Sequence, residues 1–146
     1  MKSLIIYYSY HHMNTEKLAR KMAETLKADL KEVSECDPND ISDYDLIGIG
    51  SGIYHGRHHK KIVGLAERFP DCKDKRAFIF SSSGVIQKDH HSELRRVLEG
   101  KDIEVIDDFH CLGFDTALDS EGINRWRPDE EDLRQAQRFA KSLLDK

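Results

Sequence analysis

The sequence has little with which to build a metal site or a disulfide framework. Its three cysteines, Cys36, Cys72 and Cys111, lie far apart, and no C-x-x-C pair occurs. A zinc ribbon and a dithiol redox motif are therefore not expected, and reduced thiols of a cytosolic protein are. An H-E-x-x-H pattern is also missing, and although His55, His58 and His59 could lie near His11 and His12, no nearby cysteine or acidic residue shows a metal-ligand spacing to that group. There is no excess of positive charge: 23 Lys and Arg stand against 27 Asp and Glu, a net charge of −4. Nucleic acid is thus not the expected partner. No apolar run approaches the roughly 20 residues of a membrane span. Leu4 to Tyr8 breaks off into polar sequence too early for a signal peptide. A cytoplasmic protein without membrane insertion is the expectation.

What is present suits one globular unit. A chain of 146 residues, 38% apolar and 34% charged, is long enough for one core without staples. A single domain over residues 1–146 is expected.

Short apolar runs alternate with helical spacing. Leu4 to Tyr8 reads as a strand buried on both faces, followed by a polar loop and then by Leu18, Ala19, Met22, Ala23 and Leu26 at helical intervals. Asn14 or Thr15 suits the cap of that helix. Leu30–Val33, Leu46–Gly50, Ala77–Phe80 and the stretch from Ile103 to Leu112 supply four more strands. Ile62, Leu65, Ala66 and Phe69 mark a second helix; Leu94, Val97 and Leu98 mark a third. Leu133, Ala136, Ala140 and Leu143 mark the last, with Pro128 and the acidic Asp129 to Asp132 at its positive end. Strands alternating with helices predict an α/β fold with a parallel sheet covered on both faces.

In such sheets ligands bind beyond the carboxyl ends of the strands. Three segments leave those ends. Ser9 to Thr15 runs into a helix N-terminus, where free N–H groups and hydroxyls favour an anion; it also suits an ordinary capped loop. Gly50 to His59 is glycine-rich and carries Tyr54, whose ring offers a face for stacking; a plain glycine turn reads the same way. Ser81-Ser82-Ser83-Gly84 combines small side chains with hydroxyls, or is simply a turn.

Taken together these residues resemble the flavodoxin family. Tyr7-Tyr8-Ser9 through Asn14-Thr15-Glu16-Lys17-Leu18-Ala19 is similar to that family's FMN phosphate loop, with His11-His12-Met13 where the usual pattern has T-G, one residue longer. Gly50–Tyr54 and Ser81–Gly84 resemble its two flavin-ring loops. Gly113-Phe114-Asp115-Thr116, Asn124 and Arg127-Pro128 are similar to a short-chain flavodoxin-like subgroup.

The resemblance implies a flavodoxin-like three-layer sandwich with a five-stranded parallel sheet in the order 2-1-3-4-5. It implies FMN as the cofactor. The phosphate would be held by Ser9, Tyr10, His11, His12, Met13, Asn14 and Thr15. The ring would be held by Ser51, Gly52, Ile53, Tyr54, His55 and Gly56 on one side and by Ser82, Ser83 and Gly84 on the other. Electron transfer with transiently docked redox proteins is the implied role, favoured over a dedicated enzyme by the lack of a long inserted loop. Two alternatives stand: an FMN-dependent quinone or protoporphyrinogen oxidoreductase, since Gly52–Tyr54 with Arg57–Lys60 also resembles flavodoxin-like protoporphyrinogen dehydrogenases, and a flavin-free binding module.

Three further expectations concern single residues. Arg57, His58, His59, Lys60 and Lys61 form a cationic stretch beside the ring, which would favour a reduced, anionic flavin. Cys111 is expected to be a buried structural thiol, and His90 and His91 to face solvent at the start of the third helix. Trp126 suits a cover over the flavin, a partner contact, or packing on the final helix.

Overall fold

The computed structural model describes residues 1–9, 14–54, 56–83, 90–112 and 128–146. The elements run β1 (Ser3–Tyr8), α1 (Asn14–Leu26), β2 (Asp29–Glu32), 3₁₀ turns at Val33–Glu35 and Pro38–Asp43, β3 (Leu46–Tyr54), β4 (Arg57–His58), α2 (Lys60–Glu67), β5 (Arg76–Ser83), α3 (Ser92–Glu99), β6 (Glu104–Leu112) and α4 (Glu130–Leu143). The main sheet is parallel in the order β2-β1-β3-β5-β6, with β4 paired antiparallel to β3 off that path. Setting aside the two-residue β4, this is the expected order 2-1-3-4-5.

Strand alternation sorts the core into two layers. Leu4 and Ile6 of β1, Ile47 and Ile49 of β3 and Ala77 and Ile79 of β5 pack with Ile62, Leu65 and Ala66 of α2 and Leu94 and Leu98 of α3. Ile5 and Tyr7, Leu46, and Phe78 and Phe80 face the other way, onto Leu18, Ala19 and Met22 of α1 and Ala136, Ala140 and Leu143 of α4. Helices therefore cover both faces of the sheet. Each large aliphatic or aromatic side chain buried in this way contributes roughly 1.5–3 kcal/mol relative to exposure.

Two glycines of β3 let that packing close. A Cβ on Gly48 would lie 2.3 Å from Phe78 Cζ, and one on Gly50 would lie 2.2 Å from the Phe80 carbonyl oxygen. The Phe78 and Phe80 rings occupy the space that side chains would take on the neighbouring strand.

The last strand carries an irregularity that matters below. Ala77 pairs with Val105, but Phe78 pairs with Asp107, so Ile106 is an extra residue in β6. A bulge resets which side chains face which way. Val105 faces the α2/α3 layer, whereas Ile106, Phe109 and Cys111 face the α1/α4 layer. Asp108 and His110 are thereby turned towards α3.

Several local expectations are met. Asp129 caps α4, and Asp129 and Asp132 exchange side-chain-to-backbone bonds of 2.9 Å each, a capping box. Cys111 is buried, 5% exposed. Others need correction. Asn14 and Thr15 are not the cap of α1 but lie within its first turn, both buried. The glycine segment 50–54 and Ser81–Ser83 are not loops; they extend β3 and β5. The ladder between those two strands continues through Ser51↔Ser81 and Gly52↔Ser82, and Ser81 to Ser83 are paired on their other side with His110 to Leu112. Pairing on both sides overrides the weak strand preference of glycine and serine. The segment 113–127, including Trp126, lies outside the described residues.

Candidate functional site

The carboxyl ends of β1, β3, β5 and β6 form one edge of the sheet, and their register builds a row across it. Tyr8 pairs with Ser51, Ser51 with Ser81, and Ser81 with His110. Above the apolar layer facing α2 and α3, each strand thus ends in a side chain with a polar group.

On the α1 face the edge meets the start of a helix. Thr15 Oγ1 lies 2.8 Å from Ser82 Oγ, and the two hydroxyls share a hydrogen bond. This contact joins the first turn of α1 to the end of β5, 67 residues apart. Asn14, Thr15 and Ser82 are buried there and Ser9 is half-buried. A helix N-terminus with neighbouring hydroxyls is an anion-binding arrangement. Of the other expected phosphate-loop residues, Tyr10, His11, His12 and Met13 lie outside the described residues, as do His55 and Gly84.

At the end of β3 an aromatic group assembles. The His59 ring stacks on Tyr8 with centroids 4.0 Å apart, and Tyr54 meets both edge-on, at 6.5 Å from Tyr8 and 4.9 Å from His59. Gly56, with φ of +78°, makes the reversal from β3 into β4 that brings His59 back over Tyr8. The other expected ring contacts, Ser51, Gly52 and Ile53, lie on the same strand end. A cavity of 620 Å³ opens beside this group, lined in part by Tyr54, His59, Val63 and Glu67.

The expected cationic stretch is largely compensated. Arg57 pairs with Glu93, its Nε donating over 3.1 Å to Oε1 and its Nη2 to Oε2. His58 is 4% exposed, and burial holds its imidazole well below its ordinary value, with the neighbouring histidines adding to the effect. Burial, then Lys61 and Lys60, also lower His59, whose Nδ1 accepts the Lys61 N–H at the start of α2. Only Lys60 and Lys61 keep a charge that no described acid offsets, and Lys61 Nζ sits 5.2 Å from the Tyr8 ring centroid.

The expectation for His90 and His91 was wrong. Both are buried, 6% and 8% exposed. They belong to a cluster: His58 lies 5.1 Å from His91 and His90 lies 5.4 Å from His110, between ring centroids. Ser81 Oγ is 2.7 Å from both His91 Nε2 and His110 Nδ1. His110 Nε2 is 3.1 Å from Ser83 Oγ, and His91 Nδ1 is 2.7 Å from Asp108 Oδ2. Sequence reading missed Asp108 and His110 altogether. The bulge in β6 hides their shared face, because simple alternation sets them on the side of Ile106 instead. Among the described residues, no group of three or more His, Cys, Asp or Glu side chains could hold a metal ion.

Comparison with known proteins decides the family. The family profile described as "Flavodoxin domain" matches residues 4–127. The chain belongs to the flavodoxin family. An uncharacterised protein of Methanocaldococcus jannaschii is 42% identical over 149 aligned positions, which cover 99% of each chain. Among solved structures, flavodoxin 2 of Bacillus cereus is similar with a TM-score of 0.77 at 18% identity, covering 98% of each chain. A short-chain flavodoxin associated with a non-canonical PDU bacterial microcompartment is similar with a TM-score of 0.74 at 15% identity, covering 99% of this flavodoxin and 98% of that one. These structural likenesses bear on the fold, and they agree with the strand order of this flavodoxin.

Proposed function

We propose that this flavodoxin binds FMN at the carboxyl edge of its sheet and carries electrons in the cytoplasm between transiently docked redox proteins. The observation that carries the reading is the 2.8 Å contact between Thr15 and Ser82. It brings the helix N-terminus suited to a phosphate against the strand end suited to the ring. The fit is chemical as well as spatial: buried hydroxyls and helix N–H groups supply donors for an anion, and Tyr54 and Tyr8 supply aromatic faces. Ser9, Asn14 and Thr15 would hold the phosphate end. Ser51 to Tyr54, Gly56, Ser82 and Ser83 would border the ring. Tyr10, His11, His12, Met13, His55 and Gly84 belong to the same proposal by sequence. FMN, when bound, supplies the redox chemistry, and the protein supplies binding, orientation and electrostatics.

The test is the absorption spectrum of the purified protein, followed by titration of the apoprotein with FMN under fluorescence detection. Saturable quenching is expected, and Thr15→Val is expected to weaken binding about fivefold, by loss of one buried hydroxyl worth about 1 kcal/mol. A colourless protein that leaves FMN fluorescence unquenched at micromolar concentration refutes the reading.

The cavity of 620 Å³ beside Tyr54 and His59 favours a second reading, an FMN-dependent quinone or protoporphyrinogen oxidoreductase, because it offers room for a small molecule next to the ring position. Steady-state turnover of NAD(P)H with a quinone, or of protoporphyrinogen, separates the enzyme from the carrier.

A further inference from the structure

The serine–histidine cluster on the α3 face is more than packing. We propose that Ser83, His110, Ser81, His91 and Asp108 form a proton relay between the flavin site proposed above and solvent at the edge of β6. The delivery end rests on that reading; the relay itself rests on geometry.

Four consecutive hydrogen bonds link the five side chains, at 3.1, 2.7, 2.7 and 2.7 Å from Ser83 to Asp108. Both nitrogens of each imidazole are used. One group sets the direction of all four bonds. The Asp108 carboxylate can only accept, so His91 Nδ1 carries its proton and His91 Nε2 accepts. Ser81 must then donate to His91, and having one proton it must accept from His110 Nδ1–H. His110 Nε2 accepts in turn from Ser83. This order needs a neutral His91, since an imidazolium donates at both nitrogens. Burial lowers the His91 pKa, against the opposing pull of the Asp108 bond. The other titratable neighbours, His58 on β4 and His90 before α3, are likewise lowered, chiefly by burial. Arg95 of α3 touches only the outer end, 3.4 Å from Asp108 Oδ2.

The burial profile suits transport through groups rather than through water. Ser81 is 0% exposed, whereas the Asp108 side chain is 41% exposed. The same profile rules against reading Ser81–His91–Asp108 as a hydrolytic triad. The Ser81 oxygen is enclosed, with histidines on both sides, so no carbonyl substrate can reach it.

The transfer balances. A proton received on Ser83 Oγ releases the Ser83 hydroxyl proton to His110 Nε2. His110 passes its Nδ1 proton to Ser81, Ser81 passes its own to His91 Nε2, and His91 passes its Nδ1 proton to Asp108, from which water removes it. Every side chain ends with its original number of protons, the three bonds from Ser83 to His91 are reversed, and His91 Nδ1 faces the Asp108 carboxylate without a proton until one arrives from solvent. An inward proton, entering at Asp108, reverses each step and restores the first orientation. Such a chain suits a cofactor that takes up a proton on reduction and gives it back on oxidation.

Two measurements test it. In the apoprotein, nitrogen-15 NMR should show His91 and His110 as Nδ1–H tautomers; an Nε2–H tautomer at either ring overturns the relay. In the FMN-loaded protein taken once through reduction and reoxidation, so that an outward transfer has left the chain ready for an inward one, photoreduction with a pH-indicator dye follows proton uptake. Ser81→Ala, and Asp108→Asn at the exposed end, should each slow uptake about a hundredfold, the scale of a lost proton-transfer group. Ser81→Thr, which keeps the hydroxyl, should restore most of the rate. Uptake at the parent rate in both Ser81→Ala and Asp108→Asn overturns the relay while FMN binding, read by absorbance, stands. A protein that refuses FMN overturns the site reading and removes the delivery end of the relay with it.

Discussion

Acid should destabilise this protein before any carboxylate protonates, and His58 isolates the effect. Ser51 Oγ–H donates to the Gly52 carbonyl over 2.6 Å, so His58 Nδ1–H donates to Ser51 Oγ over 3.0 Å. His58 Nε2 is buried and has no hydrogen-bond partner among the described residues. Protonation would place a new N–H there with no acceptor among those residues, in a ring that is 4% exposed. The native imidazole therefore stays neutral well below its ordinary value of 6.5. The unfolded chain protonates near that ordinary value, so below it the unfolded state binds more protons than the native state. Stability then rises with pH, is fully present above 6.5, and is lost as pH falls towards the depressed native pKa. For one histidine neutral throughout, the loss between about pH 7.5 and about pH 5.5 is about 1.4 kcal/mol. At a urea m-value of about 2 kcal/mol/M this is about 0.7 M in midpoint. His59, His90 and His91 shift in the same direction and add to the total. The difference between parent and His58→Gln removes those shared contributions. Urea midpoints at the two pH values should move less in the variant, by about 0.7 M. An equal shift in both proteins, or a folded-state His58 resonance titrating near 6.5, refutes the reasoning.

Two further predictions follow from the core and the site rim. Gly48→Ala sets a Cβ within 2.3–2.8 Å of three Phe78 ring atoms and should lower stability by about 1–3 kcal/mol, seen in urea unfolding. Phe78→Leu in that background should recover part of the loss, and a Gly48→Ala protein as stable as its parent would disprove the close approach. Glu93→Gln frees the Arg57 charge from its partner; stability should change by less than about 1 kcal/mol because the pair is largely exposed. Potentiometry of the FMN-loaded variant should show a higher potential for its second electron, and an unchanged one would place Arg57 too far from the ring to act on it.

The layer architecture was legible because its signals are local and redundant. Leu4 to Tyr8 and Ala77 to Phe80 are continuous apolar runs that only a doubly covered strand can bury, and Leu133, Ala136, Ala140 and Leu143 leave one helical face. Strand ends were read too short because Gly50-Ser51-Gly52 and Ser81-Ser82-Ser83 carry turn-like composition, and composition does not reveal a ladder partner on each side. The charge beside the site was misjudged for a related reason. Arg57 and His58 read as cations until Glu93, 36 residues away from Arg57, and the burial of His58 are known. His90 and His91 look solvent-facing in sequence; their partners, Ser81 and Asp108, come from other strands.

The serine triplet shows how one strand end can serve two chemistries without either disturbing the other. Alternation sends Ser82 to the α1 face, where it meets Thr15, and sends Ser81 and Ser83 to the α3 face, where they meet the histidines. The sheet itself separates the two sets, so an anion held at α1 and a proton moved beside α3 would approach one ring from opposite sides of β5. The second set exists only because β6 carries one extra residue. Uninterrupted alternation from Val105 would send Phe109 and Cys111 towards α3 and leave Asp108 and His110 against α4, opposite Phe139. A bulge is destabilising by itself, since it leaves a residue out of the ladder. Its place three residues before the end of β5's apolar run, where it turns a carboxylate and an imidazole together onto one face, ties the irregularity to the site rather than to the core.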